Sequence, residues 1–449
     1  MPRPVEIAFV NHASVLIRHG AVGLLSDPWY SGPAFHKGWS LLVETPHDEV
    51  ERLLQRVSHV WISHEHPDHF SVPFFKRHGE TLRARGIRLL FQKIEDQRVA
   101  DFLRGEGFDL TELPYGRPHA LSDEMTVTCL KDEFYDSALS VQAGGTHILN
   151  LNDCAIATPA RAQEVRRQVG PCDILLTQFS YAAWKGGPEN RAWRAEAARQ
   201  KIENIRLQAE ALEPAVVIPF ASFVAFSNTR NAYLNDAANR PRDVLAAFRD
   251  APFAVQVMQP GDVFAGTPDP EASEAACAFW DRAAERVADM PLQHFETKSP
   301  EALREAFEGY VARVHGRNAR WMMRLAQMAS PVRVLQPVAI RLDDLGRTYR
   351  VDVARGRLAE TTAPADLTMH SESLWFLFRN PFGFDTLTVN GCLEEARPGG
   401  FSRAARSIAI ENLNNLGIRF GPGLIFEAKV IAIFFERLRA ASARMRATG

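Results

Sequence analysis

Residues Ser63-His64-Glu65-His66-Pro67-Asp68-His69 crowd three imidazoles and the Asp68 carboxylate into six positions. The apolar run Val57, Val60, Trp61, Ile62 comes directly before them. Such a run reads as a buried strand, and Pro67 stops the following segment from continuing it. Side chains that leave a strand end through a tight turn can converge on one point, as a metal ion requires. Neutral imidazoles and a carboxylate suit zinc, iron or manganese, and two ions would use all four groups. This density of donors sets the motif apart from a histidine-rich surface loop.

A chain of 449 residues exceeds one ordinary core, so two domains are expected. With 46% apolar and 24% charged residues it has the composition of a soluble globular protein. The net charge of −2, from 52 basic and 54 acidic residues, leaves no electrostatic footprint for nucleic acid. Cys129, Cys154, Cys172, Cys277 and Cys392 are scattered and form no Cys-x-x-Cys. They read as reduced packing residues in a cytoplasmic protein, and their spacing excludes a Rieske cluster. The start, Met1 to Glu6, has no apolar signal core, and no uncharged stretch is long enough for a transmembrane segment. The nearest candidate, Leu424 to Phe435, is interrupted by Glu427 and Lys429.

Along the chain, 7–17 and 22–25 read as two strands joined at His19-Gly20, with Asp27 at the end of the second. Asp27 is either a carboxylate that orients a metal-binding histidine or a turn residue before Pro28. The aromatic loop 29–39 can wall a pocket. Helices are expected over 48–56, 72–83, 95–105 and 191–212, and strands over 87–91, 125–130, 138–142, 147–151, 174–176 and 216–220. Gly266-Thr267-Pro268-Asp269-Pro270-Glu271 reads as the linker. It divides a metal-binding domain, 1–265, from an α+β accessory domain, 272–449. In the latter, helices are expected over 272–288, 300–328 and 425–438, and strands over 332–342 and 348–353.

His64-x-His66-x-Asp68-His69 after an apolar strand resembles the signature of the metallo-β-lactamase superfamily. The resemblance covers about the first 260 residues. Asn11-His12-Ala13-Ser14, Leu25-Ser26-Asp27-Pro28-Trp29, Ser31 to Phe35 and Pro219-Phe220-Ala221 narrow it to one branch, similar to the hydrolase-like portion of CMP-N-acetylneuraminate hydroxylase. It implies an α/β fold, a four-layer αβ/βα sandwich with metals at one edge of its two sheets. It also implies one ion on His64 and His66, a second on Asp68 and His69, and Asp153 bridging them.

The family's third histidine is missing: His147 lies in the strand leading to Asp153, and His119 precedes another strand. Asp132 stands at the expected place, with Glu133 beside it and Asp136 just beyond, and is taken as an oxygen ligand. The late histidine is replaced near Asn228, an amide that can ligate or hydrogen-bond a substrate. The second domain is weakly similar to sterol-carrier-type domains in its strand pair and in Ala365 to Thr368 and Phe384 to Leu387.

The leading expectation is a metallo-hydrolase. Hydroxide held by two divalent ions, iron, manganese or zinc, would attack an ester, phosphodiester, lactone or amide, with Asp68 or Asp153 managing the proton. The runner-up is a non-haem di-iron oxygenase or oxidase supplied by a reductase, and a third class is an inactive binding protein. Lys185, Arg194 and Arg230 flank the predicted site and would suit an anionic small-molecule substrate.

Overall fold

The computed structural model describes residues 4–132, 135–330, 333–415 and 417–422. The closing helix expected over 425–438 and the acid Glu133 lie outside the described residues.

The chain opens with an antiparallel meander of β1 (Glu6–Asn11), β2 (Ser14–His19) and β3 (Val22–Ser26). The single strand expected over 7–17 is therefore two strands. Asn11-His12-Ala13 reverses the chain between them, with His12 at φ 30° and its N–H donated to Asn11 Oδ1. The β-formers on both sides mask this turn, whose only local signal is the asparagine.

After β4 (Trp39–Leu41) the chain alternates α1 (His47–Leu54), β5 (His59–Ile62), α2 (Val72–Ala84), β6 (Arg88–Gln92), α3 (Arg98–Gly105) and β7 (Leu110–Leu113). β3, β5, β6 and β7 pair in parallel, which the helical crossovers permit. A second meander follows: β8 (Pro118–Ser122), β9 (Met125–Lys131), β10 (Ser137–Ala143) and β11 (Thr146–Asn152). Then come α4 (Pro159–Val169), β12 (Ile174–Gln178), α5 (Arg191–Leu212), β13 (Val216–Phe220), β14 (Val224–Phe226), α6 (Pro241–Ala247) and β15 (Ala254–Val255). β16 (Val263–Phe264) returns to pair with β1, and α7 (Pro270–Glu285) follows.

Two seven-stranded sheets result, in the orders β16-β1-β2-β3-β5-β6-β7 and β15-β13-β12-β11-β10-β9-β8. Alternation along β1 explains the layering. Ile7 and Phe9 join one core with Val127, Val141, Ile148 and Leu175 of the other sheet. Ala8 and Val10 join a different core with Phe75 and Leu82 of α2 and Leu103 of α3. With both faces covered, the strands need near-continuous apolar runs, which is what they carry. This is the two-sheet α/β sandwich flanked by helices that the sequence led us to expect.

The chain divides into two compact units, Met1–His294 with Val389–Gly391 and Phe295–Thr388 with Cys392–Gly449. The boundary expected at 266–271 thus moves, because this stretch is a helix start rather than a linker. Asp269 caps α7 by accepting from the Ala272 N–H, and Pro270 takes the first turn. Ala276, Cys277 and Trp280 are then buried in the core between the sheets, where the Trp280 indole donates to the Met258 carbonyl.

The second unit begins with α8 (Pro300–Arg317) and α9 (Arg320–Ala329), parted where Asn318 turns its amide back onto the Val314 carbonyl. It contains a five-stranded sheet of β17 (Val338–Leu342), β18 (Arg347–Asp352), β19 (Arg357–Glu360), β20 (Leu367–Met369) and β21 (Leu393–Glu395), in the order β19-β18-β17-β20-β21. Among the described residues no helix is long and apolar enough to cross a membrane.

Candidate metal centre

The motif leaves the end of β5 and folds into a turn in which the His69 and Phe70 N–H groups donate to the His66 carbonyl. Its neighbours come from other strand ends. Asp27 follows β3, which pairs in parallel with β5; Asp153 follows β11; Asp136 precedes β10; and His12 sits in the β1–β2 turn. Four non-glycine residues at these ends, His12, Asp27, Asn152 and Ala221, have positive φ. Each is held by a contact that offsets the strain. For example, the Ala221 N–H donates to the His12 carbonyl, and Asn152 donates its amide to the Ser137 carbonyl.

Asp27, the residue left between two roles, orients the motif. One carboxylate oxygen accepts from the Ser63 N–H at 2.7 Å; the other accepts from Ser63 Oγ at 2.8 Å and His69 Nδ1 at 2.9 Å. These bonds fix proton positions. The Ser63 hydroxyl has given its hydrogen to Asp27, so it accepts from His64 Nδ1 at 2.9 Å. In their neutral form both His64 and His69 therefore carry their proton on Nδ1 and present the Nε2 lone pair inward, the arrangement a metal ligand needs.

His64 Nε2 lies 2.9 Å from His66 Nδ1 and 3.6 Å from Asp136 Oδ1. His69 Nε2 lies 3.4 Å from both Asp68 Oδ2 and Asp153 Oδ2. Two groups of donors gather within 4.8 Å: His64, His66 and Asp153, and His12, Asp68 and His69. Ligand atoms about 2.0–2.1 Å from a tetrahedral zinc lie about 3.3 Å apart, so these spacings match a shared cation. Asp68 Oδ1 and His69 Nε2 are buried without a hydrogen-bond partner. A buried acceptor in that state is costly, and a cation satisfies it. The residues fit a metal.

His12 has the opposite tautomer. Its Nδ1 accepts from the Phe223 N–H at 3.3 Å, leaving Nε2–H to donate to Asp68 Oδ2 at 3.2 Å. His12 thus steadies the Asp68 carboxylate and would have to give up the Phe223 bond to bind an ion itself. Gln178 plays the same part for Asp153, donating to its Oδ1 at 2.8 Å. Trp29 meets the His12 ring edge-on at 5.6 Å and Phe35 meets His66 at 5.4 Å, so the aromatic loop does wall the site.

The electrostatics follow from burial and crowding. Burial, with His69 and His66 beside it, holds His64 well below the ordinary imidazole range. Burial also opposes charge on His69, but Asp68, Asp153 and Asp27 outweigh it and raise its pKa. Burial works against ionisation of Asp68 and Asp153 too, yet the His69 charge prevails and lowers both. Burial pushes Glu65 and Asp136 up to about 7.

His64, His66, Asp68, His69 and Asp153 are brought together; the other candidates are placed elsewhere. Asp132 is corrected: its oxygens are taken by the Ala155 N–H at 2.6 Å and by Arg161 at 3.1 Å. Asp136, four residues on, faces His64 instead. Asn228 is also corrected, since its amide donates to the Lys37 carbonyl and accepts from the Arg230 N–H, closing a turn. Arg194 is fully buried in an ion pair with Asp236 at 2.7 Å. His147 bonds Ser140 and the Pro171 carbonyl, so it is structural. Lys185 is half-buried and near enough to Lys201 of α5 to depress its pKa. Burial lowers Lys201 to about 8, while Asp153 and Asp136 act to raise it. Lys201 therefore shares the acids' field, and sequence gave no sign of it beyond one more charge on a charged helix.

No protein-family model matches the chain. The cytidine monophosphate-N-acetylneuraminic acid hydroxylase of Danio rerio is 27% identical over 248 residues, 52% of this chain and 40% of its own. That of Xenopus laevis is 27% identical over 286 residues, 60% of this chain and 45% of its own. A Homo sapiens relative, named as inactive, is 28% identical over 250 residues, 52% of this chain and 48% of its own. The chain thus spans less than half the length of these relatives. Among solved structures, CmlA, a diiron beta-hydroxylase from Streptomyces venezuelae, aligns at 17% identity and a TM-score of 0.44, over 59% of this chain and 55% of its own. Igni18, a metallo hydrolase from Ignicoccus hospitalis, aligns at 18% identity and a TM-score of 0.40, over 58% of this chain and 97% of its own. Over 52–60% of its length the chain resembles the CMP-N-acetylneuraminic acid hydroxylases.

Proposed function

We propose that the first unit is a metal-dependent hydrolase acting on a small anionic ester, phosphodiester, lactone or amide. The observation that carries this reading is the place of Asp153. It belongs to the donor group of His64 and His66, yet its Oδ2 lies 3.4 Å from His69 of the other group. One carboxylate common to two donor groups is the arrangement of a dinuclear centre. His64, His66 and Asp153 would hold one ion, Asp68 and His69 with Asp153 the other, and Asp136 would be a further oxygen donor at the His64 side. Divalent ions held there, iron, manganese or zinc, would lower the pKa of water and offset developing oxyanion charge.

The chain's own groups do the rest. Asp27 and Ser63 keep the lone pairs of His64 and His69 pointed at the centre. Asp68 stays ionised at neutral pH; His12 holds its Oδ2, and its Oδ1 would face the ion. Trp29 and Phe35 limit water at one wall. Lys201 and Lys185 supply positive charge next to the acids, which favours an anionic substrate and steers it in.

A second reading, oxidative chemistry at a di-iron centre, is favoured by the hydroxylase names of the relatives and by three carboxylates beside the imidazoles. It requires electrons from a separate reductase. Reconstituting metal-free protein with zinc, manganese or iron without oxygen, on a panel of anionic esters and phosphodiesters, tests both. Turnover without oxygen supports hydrolysis. Product formed only on admitting oxygen, with matching oxygen uptake, replaces it with the second reading.

A further inference from the structure

Outside this centre, a second group of nitrogen and oxygen donors gathers on the two helices behind the first sheet. His47 and Glu51 are four apart in α1, so both side chains lie on one helix face. His78 comes from the middle of α2. One donor atom from each of the three lies within 4.8 Å of the others. His78 Nδ1 is 2.6 Å from Glu51 Oε1, and the His47 and His78 rings are 5.1 Å apart.

We infer that His47, Glu51 and His78 form a second, separate site for a borderline divalent cation such as zinc, cobalt or nickel. Two imidazoles and one carboxylate are a donor set of that class, and leave a position for water. The group is pre-arranged in the manner of built sites. Thr81 Oγ1 donates to Glu51 Oε2 at 3.3 Å, fixing the carboxylate and leaving Oε1 for the ion. Phe74 packs against the His78 ring at 5.0 Å, so the buried imidazole is held in place. Binding asks only that His78 carry its proton on Nε2 rather than Nδ1, and that its Nδ1 and Glu51 Oε1 spread by about 0.7 Å. The route in is open. His47 is exposed, and His47 and His78 line a cavity of about 370 Å³ together with Tyr30, Glu44 and Arg77. The free coordination position would face that cavity, where Arg77 suits an anionic co-ligand.

The test uses the full chain carrying His64→Ala, His66→Ala and His69→Ala, stripped of metal and titrated with Co²⁺ while its absorption is followed. One equivalent should bind with visible bands of low-symmetry nitrogen and oxygen coordination. Adding His47→Ala, an exposed position that leaves the fold intact, should weaken that equivalent by at least 10–100-fold, about the loss expected from a ligand shell. Glu51→Gln keeps the shape but loses the charge, and should weaken it as well. Co²⁺ binding that is absent, or unchanged by either substitution, overturns the inference. The main-site imidazoles are already missing from this protein, so the result is independent of the proposed hydrolase.

Discussion

The strand-end centre and the helix-borne triad bring similar donors together by different means. At the centre, donors come from three separate strand ends, those of β5, β10 and β11, and the backbone is held at positive φ at His12, Asp27 and Asn152. The triad takes two of its three donors from one regular helix and needs no such conformation. Donors on strand ends can converge from all sides and be buried together, which leaves atoms such as Asp68 Oδ1 unsatisfied without a cation. Donors on a helix face stay partly in water, where His47 is stable alone. The first arrangement is costly unless it binds metal, whereas the second merely permits it.

The largest effect that separates the two regions is removal of the central imidazoles. His64→Ala with His66→Ala should abolish activity and remove the ion that these two imidazoles hold, measured by elemental analysis after dialysis. Full central metal content in this variant would break the comparison at its root. Next is Asp27→Asn, which keeps the shape but removes the charge that fixes the His69 tautomer. The ion on Asp68 and His69 should bind about 10–100-fold more weakly, with the other ion retained. An unchanged affinity would mean the strained loop is not what arms the site.

A smaller effect sorts two neighbouring acids. Asp132→Asn should cost about 1–3 kcal/mol of stability in a urea melt, because it weakens a buried pair with Arg161, and should leave metal content alone. Asp136→Asn should do the reverse. The opposite pattern would restore Asp132 as a ligand. The smallest effect concerns Lys201. Its pKa is lowered in the folded protein, to about 8, so it is cationic below that pH and neutral above it. KM for an anionic substrate should therefore rise several-fold as pH passes through about 8. Lys201→Gln should show the higher KM at every pH; a variant that keeps the wild-type pH profile would remove Lys201 from the substrate's path.

These contrasts also show what a sequence can carry. The motif 63–69 was legible because its donors are contiguous, and Asp153 because it ends an apolar strand. His12 was hidden by β-forming neighbours, which read as one strand where Asn11 turns the chain. Asp132 and Asp136 stand on either side of the turn from β9 to β10, with the Asp132 N–H bonded to the Asp136 carbonyl. Periodicity says nothing about which of these two acids faces His64. Asn228 stood at the family's position for a late ligand, yet local hydrogen bonding uses both ends of its amide. The same confusion of local and global signals puts the expected domain boundary at 266–271, where a helix cap resembles a linker.

The central claim is that two ions share Asp153. Anomalous X-ray diffraction from crystals of metal-loaded protein, collected at the absorption edges of iron, manganese and zinc, tests it most directly. The account predicts two anomalous peaks about 3.5–4 Å apart, one against His64 and His66 and the other against Asp68 and His69, with Asp153 touching both. A single ion, or ions seated at Asp132 and Asn228, would contradict it.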